Sequence, residues 1–251
     1  VSTPPTTTPP PPIVSVSVEY RLSPENPFPA AVIDALSVVT AILEENPDRQ
    51  IHLAGTSAGG NLAVVCAMEL HRRMPGRIKS VISFAPMFDP AADSLSYHLN
   101  SLSSRLCPVD YLRWSWRVYL DTYQGMKEDE IPIIANEPSE TKLLSNQTLW
   151  NNSPWKKNMA TRRLIEPYVD LPKGLDDPKV APKFIVATNR GDPLMDDGTK
   201  LITALRATDA SNVIHIDASG SHVFGFQFDT ETRTSMQQEL ATTLFGLGED
   251  E

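Results

Sequence analysis

Hydrophobic positions along the chain fall into short apolar runs separated by longer stretches with helical spacing. Ile13 to Glu19 alternates β-branched and small residues, as a strand with two distinct faces does. Pro29 to Glu45 places Val32, Ala35, Leu36, Val39 and Ile42 at helical intervals behind a proline in the opening turn. Ile51 to Ala54 predicts a second strand, Leu62 to Met74 a helix, Ile78 to Ala85 a third strand, Lys183 to Ala187 a fourth and Val213 to Ile216 a fifth. Thr230 to Phe245 predicts a closing helix, with Met236, Leu240, Leu244 and Phe245 toward the core. Strand followed by helix, repeated in this way, predicts an α/β fold with a mostly parallel sheet and helical crossovers. Residues 89–179 break the rhythm. They are polar and aromatic, with one helix at Val109 to Tyr123 carrying Trp114, Trp116 and Tyr119, and they predict a helical excursion from the sheet.

Composition narrows this picture. A chain of 251 residues with 41% hydrophobic content suits one large domain, spanning residues 13–251, better than two small ones. Val1 to Pro12 stands outside it: six prolines and four threonines predict an extended, polyproline-like tail with nothing to bury. The formal charge of −9 argues against nucleic acid as a partner. The acidic runs at Lys127 to Glu130 and Gly248 to Glu251 read as solvated surface. Cys66 and Cys107 are too few for a disulfide framework and lack metal-ligand spacing; Cys66 suits a small core position. No apolar run is long enough for a membrane span, and the expected product is soluble. The first residues lack the basic and apolar regions of a signal peptide, which favours the cytoplasm.

The chemistry concentrates in Gly55-Thr56-Ser57-Ala58-Gly59, between an apolar strand and an alanine-rich helix. A G-x-S-x-G pentad in that setting predicts a nucleophile elbow, a tight turn presenting Ser57 Oγ to a base, with glycines where the bent backbone packs closely. An ordinary Gly/Ser turn is the bland alternative. Such a serine needs a histidine and an orienting carboxylate, in the chain order serine, acid, histidine. Of the five histidines, His52 and His215 fall within strands, His71 sits at the far end of a helix, and His98 lies in the excursion. His222 follows the last strand, where loops gather at the carboxyl edge of a parallel sheet. Asp192 follows the fourth strand at the same edge. Asp196 and Asp197 are its rivals, though they fall at a helix start, where a carboxylate often serves as a cap.

Four stretches resemble the hormone-sensitive-lipase branch of the α/β-hydrolases: Tyr20 to Ala31, the Gly55 to Gly60 elbow, Asp192-Pro193-Leu194 and Ser221 to Phe224. The resemblance implies a carboxylesterase acting on short or medium acyl esters, with Ser57 as nucleophile, Asp192 as acid, His222 as base and the Ala58 N–H in the oxyanion hole. It implies no cofactor and no metal, a small-molecule ester as substrate, and a pocket drawing on Met87, Phe88, Trp114 and Phe224. Thr56 stands where the branch commonly has aspartate. A larger departure is the missing His-Gly-Gly-Gly segment that supplies further oxyanion donors, so the resemblance is to an N-terminally truncated core lacking the first strands and the cap. That truncation predicts an exposed apolar sheet face open to aggregation or to a partner, a second copy of the chain included. A catalytically silent ligand-binding protein, an amidase, or a piece without independent function are the alternatives.

Overall fold

The computed structural model describes residues 13–100, 107–121, 146–208, 212–222 and 230–245. The proline-rich tail, both acidic runs and Phe224 lie outside them. The frame is a four-stranded parallel sheet in the order β1 (Ile51–Thr56), β2 (Ile78–Phe84), β3 (Lys183–Asn189) and β4 (Val213–Ala218). The central strands β2 and β3 are buried on both faces, which is why their sequences are nearly continuous apolar runs.

Three helices share one face: α1 (Ala30–Glu45), α2 (Ala58–Arg73) and, between β3 and β4, a helix numbered α8 (Met195–Arg206). Their apolar stripes meet alternate strand positions, and Val39, Val64 and Leu201 share one apolar cluster with Phe184 and Val186. Leu43, one position past Ile42, is the buried residue at the last turn of α1. On the other face Ile82, Ile185, Ala187 and Ile216 pack against Leu240 of α9 (Thr230–Phe245). These positions are buried, so the exposed apolar sheet face expected from the sequence is absent among the described residues. The cause is that the closing helix lies across them.

The predicted strand at Ile13 to Glu19 is not one. The segment joins no ladder, and Ile13, Val14 and Val16 are 58%, 65% and 55% exposed. Alternation specifies two faces of a strand but supplies no neighbour to bond, and β1 pairs with β2 alone.

The excursion is built of short helices: α3 (Leu95–Leu99), α4 (Val109–Tyr119), α5 (Asn146–Asn152), α6 (Pro154–Lys157) and α7 (Met159–Arg162), then a 3-10 turn at Pro167–Val169. Helix α4 ends at Tyr119, short of the predicted Tyr123, because Asp121 takes a positive φ of 54°. Leu112, Trp116, Trp150 and Ile165 join Val32 and Leu62 in one apolar cluster. Arg163 reinforces it with a 2.8 Å ion pair to buried Glu69 on α2. Among the described residues no helix is long and apolar enough to cross a membrane.

Candidate active site

Ser57 occupies the sharp turn between β1 and α2 at φ 57°, ψ −119°, a conformation costing a non-glycine residue about 1–3 kcal/mol. Surrounding bonds hold it there. The Ser57 N–H donates to the Phe84 carbonyl at 2.8 Å, and the Ser57 carbonyl accepts from the Met87 N–H at 3.3 Å. The elbow is thus anchored to the end of β2 and the loop beyond it. The two glycines flanking the serine are not equivalent: a Cβ on Gly55 would lie 2.0 Å from the Gly59 carbonyl oxygen, whereas one on Gly59 would meet nothing within 4 Å. Close packing accounts for the first glycine of the pentad and not for the second.

His222 reaches the serine from the loop after β4. Its Nε2 lies 3.1 Å from Ser57 Oγ, and its Nδ1 lies 2.8 Å from Asp192 Oδ2. Asp192 is 1% exposed, and its other oxygen accepts the Leu194 N–H at 2.9 Å. The loops that carry Asp192 and His222 are tied together by the Gly191 N–H on the Gly220 carbonyl and by the Asn189 amide on the Ser221 carbonyl, both at 2.9 Å. The carboxylate fixes the imidazole with its proton on Nδ1, which leaves Nε2 to accept the serine proton. Burial works to lower the pKa of His222, but the hydrogen bond and charge of Asp192, with a further contribution from Cys107, carry it up to about 9.

The rival carboxylates are committed elsewhere. Asp196 accepts the Ser96 N–H at 2.8 Å. Asp197 is fully buried, and one of its oxygens accepts the N–H groups of Phe88 and Asp89 at 2.7 and 2.9 Å and the Tyr97 hydroxyl at 3.2 Å. Burial and the neighbouring Asp89 charge push its pKa upward, while Lys200 holds Asp89 at 2.8 Å. Asp197 therefore braces the loop beyond β2 against the start of α8. The other histidines have structural partners too: His52 meets Ser80, His71 the Lys173 carbonyl, His215 meets Thr188, and His98 meets Asp93.

A cavity of about 350 Å³ opens beside the elbow, with Ala58, Met87 and Trp114 in its wall. The Ala58 N–H belongs to the first turn of α2, so it has no intrahelical acceptor. Phe88 does not line the cavity. Its N–H is pinned to Asp197 and its ring is buried edge-on against Tyr168, in the core beneath the sheet's helical face. Cys107, just before α4, was not legible as a site residue; only the fold sets its buried thiol against His222. Cys66 is buried in α2, where burial pushes its thiol up to about 12. Among the described residues no three His, Cys, Asp or Glu side chains are grouped to hold a metal ion.

The sequence profile of the alpha/beta hydrolase fold family matches residues 11–145. The chain belongs to that family. Curated relatives of this α/β-hydrolase include arylacetamide deacetylase of Oryctolagus cuniculus, 26% identical over 223 residues that make up 77% of this chain and 55% of the relative. Versiconal hemiacetal acetate esterase of Aspergillus parasiticus is 30% identical over 118 residues, 45% of this chain and 38% of the relative. The chain thus spans about half or less of the length of these two relatives. Among solved structures, a hormone-sensitive lipase from a metagenome library superposes with a TM-score of 0.62 at 23% identity, over 90% of this chain and 65% of that one. An esterase of the archaeon Pyrobaculum calidifontis gives 0.61 at 22% identity, over 89% and 63%. At that identity the likeness is one of fold, and the fold is that of the α/β-hydrolases.

Proposed function

We propose that this α/β-hydrolase is a serine carboxylesterase of short or medium acyl esters, working through Ser57, His222 and Asp192. The observation that carries the reading is the continuous hydrogen-bonded relay from Ser57 Oγ through His222 to buried Asp192. His222 takes the serine proton as Oγ attacks the ester carbonyl, and Asp192 stabilises the imidazolium that forms. His222 then returns the proton to the leaving alcohol. Water repeats the cycle on the acyl-enzyme. The Ala58 N–H receives the developing oxyanion. Met87 and Trp114 would contact substrate from the cavity wall. Two of the relatives, an esterase and a deacetylase by name, support acyl transfer to water.

The test is labelling of the chain by a fluorophosphonate, with the modified residue located by peptide mass spectrometry. Labelling at Ser57 that vanishes in Ser57→Ala is the expected outcome, and a folded chain that takes no label would sink the reading. A second reading, a silent ligand-binding protein, draws support from the aromatic cavity beside Ser57; ligand binding without label would favour it.

The base must be neutral to act, and its pKa stands near 9. The rate of Ser57 labelling is therefore expected to rise with pH to a plateau, with a midpoint near 9. The same shift acts on stability. A histidine raised above its unfolded value stabilises the fold below about pH 6.5 and loses that contribution as pH rises through 9. Urea melts at pH 6 and pH 9.5 check the sign; greater stability at pH 9.5 in wild type than in His222→Ala, relative to pH 6, would contradict it.

A further inference from the structure

The cavity beside Ser57 carries information about substrate that the relay does not. Helix α4 contributes Tyr111, Trp114, Trp116 and Tyr119 to its wall, and Tyr20 faces it from the segment before α1. The rings brace one another: Tyr111 and Trp114 stand 5.8 Å apart, Trp116 and Tyr119 5.9 Å, and Phe28 backs Tyr119 edge-on at 5.6 Å. The Phe28 N–H on the Tyr119 carbonyl at 2.7 Å fixes the end of the helix. The aromatic wall is therefore pre-formed, and a guest need not order it.

The Tyr119 hydroxyl and Trp116 Nε1 are buried in the wall without a hydrogen-bond partner, so the wall offers a guest neutral polar groups, while its charged and amide groups are already engaged. Arg21 is its one charged lining residue among those described, and its guanidinium grips Asp34 through three contacts of 2.8–3.2 Å. The Asn61 amide donates to the Met87 and Ile165 carbonyls, both at 2.9 Å. Nothing in this arrangement selects for a charged group. The volume of about 350 Å³ is more than twice the roughly 150 Å³ of a cavity that holds one benzene ring. A flat ring system meets ring walls with favourable offset and edge contacts, and it loses less rotational freedom than a flexible chain of similar bulk.

We infer that the cavity receives an uncharged, planar two-ring aromatic portion of the substrate, and that Trp114 sets the preference for it over a linear chain. Trp114 and Tyr111 stand outside the buried cluster that holds Leu112 and Trp116, so they contact a guest without being needed to close the core. The inference rests on the esterase reading for the ester's position, but not for what fills the cavity.

The experiment compares kcat/KM for 2-naphthylmethyl acetate against n-octyl acetate, and for methyl 2-naphthylacetate against methyl decanoate, so that the ring lies once on each side of the ester. In at least one pair the ring should be favoured by about tenfold, and Trp114→Leu, which keeps apolar bulk but removes the ring, should cut that ratio about threefold or more. Calorimetric titration of Ser57→Ala with the same four compounds reads the preference without turnover. Equal or linear-favouring affinities and rates in both pairs, or ratios indifferent to Trp114→Leu, would overturn the inference. Ring-selective binding without hydrolysis would leave it standing while the esterase reading fails; hydrolysis without ring preference would do the reverse.

Discussion

Replacing Asp192 with asparagine is expected to lower ester turnover by about 10⁴-fold while leaving the fold in place. The reason lies in how the two carboxylate oxygens are used. One accepts the Leu194 N–H at 2.9 Å and the other faces His222 Nδ1 at 2.8 Å. An asparagine would keep its carbonyl oxygen on the Leu194 N–H, which demands an acceptor, and so turn its NH₂ toward the imidazole. Nδ1 must then accept, and the ring proton moves to Nε2, the atom 3.1 Å from Ser57 Oγ. A protonated Nε2 cannot take the serine proton. The variant should also lose the carboxylate charge that raises His222, so the residual activity should titrate at a lower midpoint than wild type. Steady-state rates across pH, with circular dichroism to verify folding, check both parts; a loss smaller than tenfold would mean that Asp192 does not orient the base.

Gly55→Ala is expected to cost roughly 3 kcal/mol or more and to abolish serine labelling, whereas Gly59→Ala should change stability by less than about 1 kcal/mol. The contrast follows from what each new Cβ would strike. At Gly55 the obstacles are the Gly59 carbonyl oxygen and carbon at 2.0 and 2.3 Å and the Gly60 nitrogen at 2.8 Å. All are backbone atoms of the first turn of α2, so relief requires the elbow itself to open. At Gly59 the space is vacant, and alanine suits a helix better than glycine does. Urea melts of the two variants measure the difference. Similar losses in both would show that the pentad's glycines act through backbone conformation and not through close approach.

Much of the fold was legible because parallel strands buried on both faces leave an unmistakable apolar run, as in Ile78 to Phe84 and Lys183 to Asn189. The elbow and the carboxyl-edge loops could be placed for the same reason: they follow such runs directly. Ile13 to Glu19 misled because its alternation is a local property, while a ladder requires a neighbour that no local pattern reveals. The cavity wall was read only in part. Trp114 was legible as one aromatic among several on α4, but whether a ring faces a cavity or a core depends on helices far away in sequence, and the same ambiguity put Phe88 on the wrong side. The bonds from Asp197 to Phe88 and Asp89, and the thiol of Cys107 against His222, join residues more than a hundred positions apart. No spacing rule anticipates contacts of that range.

The relay crosses the boundary between two βα units. Ser57 belongs to the first, formed by β1, α2 and β2, while Asp192 and His222 belong to the second, formed by β3, α8 and β4. The units meet where β2 pairs with β3 and where Asp197 grips the loop beyond β2. The acid–base pair can assemble within one unit, but its alignment with the serine reports how faithfully the two halves are docked. Reactivity of Ser57 is thus a gauge of that seam: a slip of an ångström between the halves would silence the nucleophile while every helix and strand stayed whole.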